Sequence, residues 1–489
     1  MKRSPDRALQ ARHVEEWHLD TDVAIVGMGG AGASAAIEAA DAGARVTVFE
    51  LGSAPGGSTA LSGGEVYLGG SGGTSMQQRF GFSDSTDNFY DYLMMQHGEL
   101  ADPAKVRAYA EGAAEHFEWL VDQGVPFKES FTEERLVEPM TDDCLFFSGN
   151  EKAWPEVERC APVPRAHTVQ LEGMGAGGVL MSHLQAAVAS RAVDVHTDAR
   201  VLCLIEEEDG SVVGLVVRID GAELNCRAHR GVVLCAGGFI MNEEMVKRHA
   251  PKLTQGMPIG NPGDTGAGIQ MGQSVGGVAI NMHEGFMSIP FYPPASLTYG
   301  IVVNDKGQRF VNEDAYHGRV GTRLIEQATE RAYFIADVEA YGTYEDMSFL
   351  GATVAGTGET VAELEAELQL PEGTLQSTVA YYNEHAGNGE DPLFHKQAAW
   401  LRPLEAPYVA LDVTPGRGCY IPCFTLGGLD TEPTGEVKRV DGSHIPGLYA
   451  AGRTAAGVPR NGSGYNSGIS IGDATFTGRR AGKAAAART

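Results

Sequence analysis

Residues 22–50 hold the feature that most restricts the possible folds. Asp22-Val-Ala-Ile-Val26 is a short apolar run rich in β-branched residues. It is too short for a helix and reads as a buried parallel strand. It runs into Gly27-Met-Gly29-Gly-Ala-Gly32, and Ala33 to Ala42 then make a strong helix former. A second apolar strand, Arg45 to Phe49, ends at Glu50. Between a strand and a helix each glycine has a task. Gly27 allows the tight turn, Gly29 lets a pyrophosphate approach the backbone, and Gly32 lets helix and strand pack closely. The helix N-terminus favours the phosphate charge. Glu50, 18 residues past Gly32, can accept hydrogen bonds from a ribose. The whole unit reads as dinucleotide binding on a Rossmann-like α/β sheet. The blander reading is a glycine-rich turn in an ordinary α/β protein.

Two features favour a flavin dinucleotide. A second glycine-rich loop, Gly56-Gly57-Ser58-Thr59-Ala60-Leu61-Ser62-Gly63-Gly64, follows Glu50 closely and suits a long FAD lying across the fold. Buried-strand runs then recur far along the chain: residues 231–239, containing Ala236 and Gly237, and Gly447-Leu-Tyr-Ala-Ala-Gly452. Strands so widely separated must return to one sheet. The bare glycine pattern also occurs at Gly173-Met-Gly175-Ala-Gly-Gly178, but Arg165 to Glu172 is mostly polar and does not read as a buried strand. A separate NAD(P)H domain is therefore not expected. Cys419 and Cys423 have no fingerprint beside them and read as isolated thiols.

Composition removes other classes. The 37 Lys+Arg against 64 Asp+Glu leave a net charge of −27, which repels nucleic-acid backbones and anionic membranes. No apolar run reaches the roughly 18 residues of a membrane helix. Met1 to Asp22 is polar and lacks the apolar centre of a secretory signal, and seven cysteines suit reduced thiols. These point to the cytoplasm. The 14 histidines make no metal pattern, and His13 and His18 lie in an arm that reads as mobile.

The stretch from Asp22 to Gly64, Cys235-Ala-Gly-Gly-Phe239, Gly263-Asp264-Thr-Gly266, residues 301–313 ending in Arg309-Phe-Val-Asn-Glu313, and Tyr449-Ala-Ala-Gly452 together resemble the fumarate reductase/succinate dehydrogenase flavoprotein superfamily. The resemblance implies a discontinuous FAD domain, 1–276 and 408–489, and an inserted α+β capping domain, 277–407, with flavin and substrate meeting between them. It implies FAD contacts from Gly27, Gly29, Gly32, Glu50, Gly57, Ser58, Ser62, Gly63, Gly64, Ala236, Gly237, Asp264 and Gly452. Gly468, Ser470 and Ile471, opening a final helix to about Arg488, would meet the flavin with a helix N-terminus. Members that attach FAD covalently use a His where this chain has Gly57, so non-covalent FAD is expected.

The expected cap begins with an apolar stretch, Ile289-Pro-Phe-Tyr-Pro-Pro294 and Tyr299, and reads as helical with a solvated acidic face over 362–385. His116 to Leu120 reads as a helix with core aromatics. Asp142-Asp143 and Phe146-Phe147 read as a loop at the entrance. The superfamily's fumarate reductases carry an arginine acid four residues after the Glu of the Arg-Phe-Val-Asn-Glu string. Here that place is His317, with Arg319 two further on, and Arg460-Asn-Gly-Ser-Gly-Tyr465-Asn-Ser467-Gly468 replaces their carboxylate clamp. This argues for an uncharged, apolar substrate.

Tyr316, Tyr465 and Ser467 are similar to the active-site residues of the 3-ketosteroid Δ4-(5α)-dehydrogenases in this superfamily, as is the segment Pro164-Arg-Ala-His167. The resemblance implies an FAD-dependent dehydrogenase that introduces the C4–C5 double bond of a 3-ketosteroid. Ser467 would take the C4 proton, Tyr316 would relay it, Tyr465 would bind the C3 oxygen, and hydride from C5 would pass to flavin N5. An unidentified electron acceptor completes the cycle. Three alternatives stay open: a Δ1-dehydrogenase, a fumarate- or urocanate-type alkene reductase, and a flavin electron carrier.

Overall fold

The structure is a computed structural model and describes residues 3–135, 141–289, 295–327, 329–342 and 351–489. Its centre is a nine-stranded sheet in which the fingerprint strand Leu19–Val26 lies between Val46–Phe49 and Ala222–Leu234, parallel to both. Val23, Ala24, Ile25 and Val26 are buried, as a strand covered on both faces requires. Val193–His196 extends the sheet beyond Val46–Phe49. The 13-residue strand Ala222–Leu234 changes neighbours along its length. Its first half pairs antiparallel with Val212–Ile219, which leads outward to Arg200–Glu206. Its last residues pair parallel with His444–Ala450, Val232 opposite Leu448. The distant apolar runs therefore do return to one sheet.

Two helices cover the sheet where the fingerprint ends. The fingerprint helix, Gly30–Asp41, packs against the closing helix, Ile469–Ala487. Small residues make that contact possible. A Cβ on Gly478 would lie 2.3 Å from the Ala31 carbonyl oxygen, and one on Gly482 would lie 2.2 Å from that of Ala35.

A smaller antiparallel sheet, in the order Ile301–Asn304, Ala332–Asp337, Tyr408–Asp412, Thr353–Gly358, forms the body of the cap. Tyr408–Asp412 lies past the expected 407/408 boundary yet pairs within this sheet. The Arg309-to-Glu313 string braces the cap from inside. Arg309 bonds Glu313 at 2.7 Å and Asp391 at 3.0 Å, and Glu313 accepts the Val302 N–H at 3.0 Å. These groups are nearly fully buried, where an ion pair persists only with full hydrogen bonding.

Several expectations need correction. The helical reading of 362–385 is two helices, Val361–Glu367 and Thr374–Ala386. Pro371 cannot continue a helix hydrogen-bond ladder, and Gly373 adopts a φ of +79°. The acidic face is not wholly solvated, because buried Glu365 accepts the backbone N–H groups of Gly373, Leu375 and Gln376 and joins the two helices. Ala166–Thr168, in the segment read as no buried strand, is one. It pairs antiparallel with Glu65–Tyr67 in a separate three-stranded sheet, so Gly173–Gly178 follows no parallel fingerprint strand. The N-terminal arm is docked: Leu9–Gln10 pairs with Ile205–Glu206, and the Asn225 N–H donates to His18 Nδ1. Phe146 is fully buried, in a strand where an entrance loop was expected, and Lys128 pairs with Asp142 and Asp143. His116 to Leu120 lies on the helix Pro103–Asp122 as expected. Residues 290–294 of the aromatic cap stretch fall outside the described residues.

Candidate active site

The dinucleotide cradle forms at the C-terminal ends of the parallel strands. Gly27 has a φ of +93°, and a Cβ there would lie 2.5 Å from the Cys235 carbonyl oxygen. A Cβ on Gly32 would lie 1.9 Å from the Gly27 oxygen. Both glycines are thus demanded by the chain itself. Gly29 is different. A Cβ there meets only Gly56 O at 3.7 Å and Gly57 Cα at 3.8 Å, so the chain leaves this space open beside the helix N-terminus. A gap of that kind suits a pyrophosphate. The second loop closes over it: Gly56 N–H donates to the Met28 oxygen, and Gly30 N–H to Thr59 Oγ1. Gly57 takes a φ of +53°. The Glu50 carboxylate accepts the N–H groups of Met28 and Gly52, both at 2.7 Å, which fixes it at the strand end with lone pairs to spare for a ribose.

The remaining expected cofactor residues gather around this cradle. Ser58 Oγ donates to Asp264 at 2.7 Å, and Arg453 pairs with the same carboxylate oxygen at 2.7 Å. Asp264 touches Gly237 so closely that a Cβ on Gly237 would sit 1.9 Å from it. Ser62 Oγ donates to the Thr59 oxygen and accepts from Gly64 N–H, with Gly63 half-buried between them. Ala236 is half-buried just past the strand end. Gly452 lies between the fingerprint and closing helices, against Ala31 and Ala474. Gly468, at a φ of +90°, caps the closing helix, whose first turn carries Ser470 and Ile471. These residues fit FAD: an open backbone gap, an acid able to take a ribose and a helix N-terminus lie among them.

The three expected catalytic residues meet beside it. Tyr316 is the N-cap of the cap helix His317–Glu326, and its hydroxyl lies 2.7 Å from Ser467 Oγ. The Tyr465 ring centroid is 6.4 Å from that of Tyr316. Phe286 stacks on Phe424 and lies 4.7 Å from Tyr465, giving the group an apolar wall. Burial pushes the Tyr465 phenol up to about 12, while Ser470 and the Arg453 charge pull the other way. Tyr465 therefore keeps its proton near neutrality and can donate it in a hydrogen bond.

The reserve candidates are poor proton donors. Burial, then the Arg135 charge, pushes His317 down to about 3, so it stays neutral. Arg319 is paired with buried Glu156 and donates to the Trp154 carbonyl. Neither offers the cationic acid that a dicarboxylate reductase needs.

Sequence reasoning missed Asn150, Asn466, Tyr92 and Phe286. Asn150 accepts the Tyr316 N–H at 2.8 Å, and Asn466 sits between the two named residues of the Tyr465-x-Ser467 element. Only Asn466 had a signal, its place in that element. Among the described residues no cluster of three or more His, Cys, Asp or Glu could hold a metal, and no helix is long and apolar enough to cross a membrane. All seven cysteines are free.

The FAD binding domain family matches residues 22–470. The chain is 29% identical over 503 residues to the 3-oxo-5-alpha-steroid 4-dehydrogenase of Comamonas testosteroni, covering 89% of this chain and 93% of that protein. It is 27% identical over 482 residues to the fumarate reductase (cytochrome) of Shewanella frigidimarina, covering 96% and 77%. Among solved structures it resembles the 3-ketosteroid-delta4-(5alpha)-dehydrogenase of Rhodococcus jostii RHA1 in complex with 4-androstene-3,17-dione. The identity is 42% and the TM-score 0.93, over 99% of this chain and 100% of that one.

Proposed function

The chain belongs to the FAD-binding flavoproteins of the fumarate reductase/succinate dehydrogenase type, and from that premise we propose that it desaturates the C4–C5 bond of a 3-ketosteroid. The FAD-binding body would comprise the parts of the chain on the large sheet, and the inserted cap would carry Tyr316. The observation that carries the reading is the 2.7 Å hydroxyl pair of Tyr316 and Ser467 beside the protonated Tyr465.

A ketone at C3 acidifies the C4 hydrogens, because the charge left behind delocalises onto the oxygen. Tyr465 donates to that oxygen; one well-aimed donor to a developing oxyanion is worth roughly 3 kcal/mol. Ser467 takes the C4 proton as it passes its own across the short contact to Tyr316, which enters the step as the phenolate and leaves it as the phenol, so the negative charge moves from Tyr316 to the C3 oxygen. A serine is a weak base alone, so the shared hydrogen bond is what makes the transfer feasible. Phe286 and Phe424 keep water from the ring system, which strengthens each polar contact. Bound FAD, held without a covalent link, supplies the acceptor for the hydride that leaves C5. The engaged state of Arg319 supports this direction over reduction of a dicarboxylic alkene.

The test is anaerobic titration of the holoprotein with a panel of 3-ketosteroids. Saturated 5α-3-ketosteroids should bleach the flavin, while fumarate and urocanate should fail to reoxidise it. A flavin left oxidised by every 3-ketosteroid would overturn the reading.

A further inference from the structure

Behind the hydroxyl pair runs a second hydrogen-bonded chain that no step of the reaction uses. The Tyr316 backbone N–H donates to Asn150 Oδ1 at 2.8 Å. The Asn150 backbone N–H donates to the Tyr92 hydroxyl at 3.0 Å, and that hydroxyl donates to Asn466 Oδ1 at 2.6 Å. Asn466 precedes Ser467. The chain thus starts at Tyr316, ends one residue from Ser467, and closes a loop with the 2.7 Å contact between those two side chains.

The loop joins four separate pieces of chain. Tyr92 is on the helix Thr86–His97, and Asn150 follows the strand Leu145–Phe146. Tyr316 opens the cap helix, and Asn466 precedes the closing helix. Tyr92, Asn150 and Asn466 are each 0% exposed. A phenol offers one donor, and this one gives its proton to Asn466 while it accepts from Asn150. Burial, then the Glu151 charge, holds Tyr92 well above the ordinary phenol range, so the donor is not lost to ionisation. The amide of Asn466 is held at its other end, where Nδ2 donates to the Gly464 oxygen at 3.2 Å.

Asn150 is tied back to the cap helix by a further route. Its Nδ2 donates to Gln96 Oε1 at 2.7 Å, and Gln96 Nε2 donates to Glu156 Oε1 at 2.7 Å. Glu156 pairs with Arg319, one turn beyond Tyr316. Gly149 gives independent evidence that the joint is packed to contact. A Cβ there would lie 1.9 Å from Asn466 Oδ1 and 2.7 Å from the Tyr92 hydroxyl.

We propose that Tyr92 is a positioning residue for the proton-transfer pair: its buried hydroxyl, bridging Asn150 and Asn466, sets the separation of Tyr316 and Ser467 across the junction of cap and FAD body. It touches neither reacting hydroxyl and acts through backbone and amide contacts. The kinetic part rests on the steroid dehydrogenase reading above, while the geometric part stands without it.

The experiment uses the holoprotein carrying Tyr92→Phe, which keeps the ring and removes the bridge. Tyr382→Phe, another buried tyrosine, on the cap helix Thr374–Ala386, is the control for simple loss of a hydroxyl. Three quantities are read: ketosteroid binding from the flavin spectrum, the rate of flavin reduction, and the isotope effect with C4-deuterated substrate. Tyr92→Phe should slow reduction about 10- to 100-fold, the scale set by ~1 Å misplacement of reacting groups. Binding should stay within about 2-fold by the same argument, because Tyr465 is undisturbed, and the C4 isotope effect should rise. Tyr382→Phe should change none of the three. Equal losses in binding and rate, or an unchanged rate, would overturn the proposal.

Crystal structures of parent and variant form the second arm. The Tyr316–Ser467 separation should lengthen past hydrogen-bonding range in Tyr92→Phe, and an unchanged separation would overturn the proposal whatever the substrate. If the parent flavin is not reduced by any 3-ketosteroid, the functional reading fails and this arm alone decides. Gly149→Ala, which presses on the same joint while leaving the tyrosine in place, should show the same signature if Tyr92→Phe does not fold.

Discussion

Single residues divide here into those the chain needs for itself and those it keeps for a ligand. Gly27 and Gly32 would clash with their own backbone if substituted, whereas the space beside Gly29 is open. Gly29→Glu should therefore leave a folded protein that purifies without yellow colour, because a carboxylate would stand where the pyrophosphate lies. A variant with a full flavin spectrum would show the fingerprint misread. Ser467→Ala and Tyr316→Phe each break the same short contact. Each should nearly stop flavin reduction, and the double variant should be little worse than either alone, since groups that act as a unit are non-additive. Multiplicative losses in the double-mutant cycle would assign them independent roles. The glycine pattern and the Tyr465-x-Ser467 element were legible because each is local in sequence. Tyr92 and Asn150 were not. Tyr92 reaches Asn466 across 374 residues and Asn150 reaches Tyr316 across 166, and nothing in their immediate neighbours marks either.

At the level of elements, periodicity read the strands well and the helix junctions poorly. The apolar runs at 22–26, 231–239 and 447–452 could only be core strands, and they lie side by side. Ala166–Thr168 escaped notice because a three-residue strand carries too little pattern, and its polar His167 is satisfied internally, bonding Thr74 and the Arg165 oxygen. The break at Pro371 was visible in the sequence but was outweighed by strong helix formers on both sides. The fingerprint and closing helices depend on close backbone approach, which gives a direct test. Gly482→Ala places a methyl 2.2 Å from the Ala35 oxygen, with backbone on one side and no flexible neighbour to yield. Overpacking of this kind costs about 1–3 kcal/mol. Thermal unfolding should show that loss, and FAD affinity should fall with it, because the displaced helix carries the phosphate-binding end. An unchanged melting temperature would mean the two helices slide apart freely.

For the molecule as a whole, two measurements probe how cofactor and core are held. Gly57 cannot form a covalent link, so acid precipitation should leave all the flavin in the supernatant; colour retained in the pellet would refute non-covalent binding. The core also holds neutral histidines, among them His116, which burial keeps well below its ordinary value. Burial pushes His97 and His317 down to about 3 and His167 to about 4. Unfolding restores the ordinary value near 6.5, so between these limits the unfolded chain binds more protons. The associated stability is complete above pH 6.5 and is lost as pH falls towards the folded values. Among the described residues neither ring nitrogen of His97 has a hydrogen-bond partner, so removing it orphans none of their groups. His97→Leu should spare roughly 2 kcal/mol of the loss between pH 7 and pH 5, read from urea midpoints. An identical acid profile would mean that His97 is not neutral in the folded protein. The large sheet also constrains the order of events during synthesis. The fingerprint strand leaves the ribosome first, but its neighbour Ala222–Leu234 and that strand's partner His444–Ala450 follow far later. At about 5–20 residues per second the interval is of order 20–80 s. Through that time an apolar strand edge waits unpaired, first that of the fingerprint strand and then that of Ala222–Leu234, and Ser467 and the closing helix are still to come. Capture of FAD therefore waits for His444–Ala450 and the closing helix, and a shortage of the cofactor is felt only after these segments have been made.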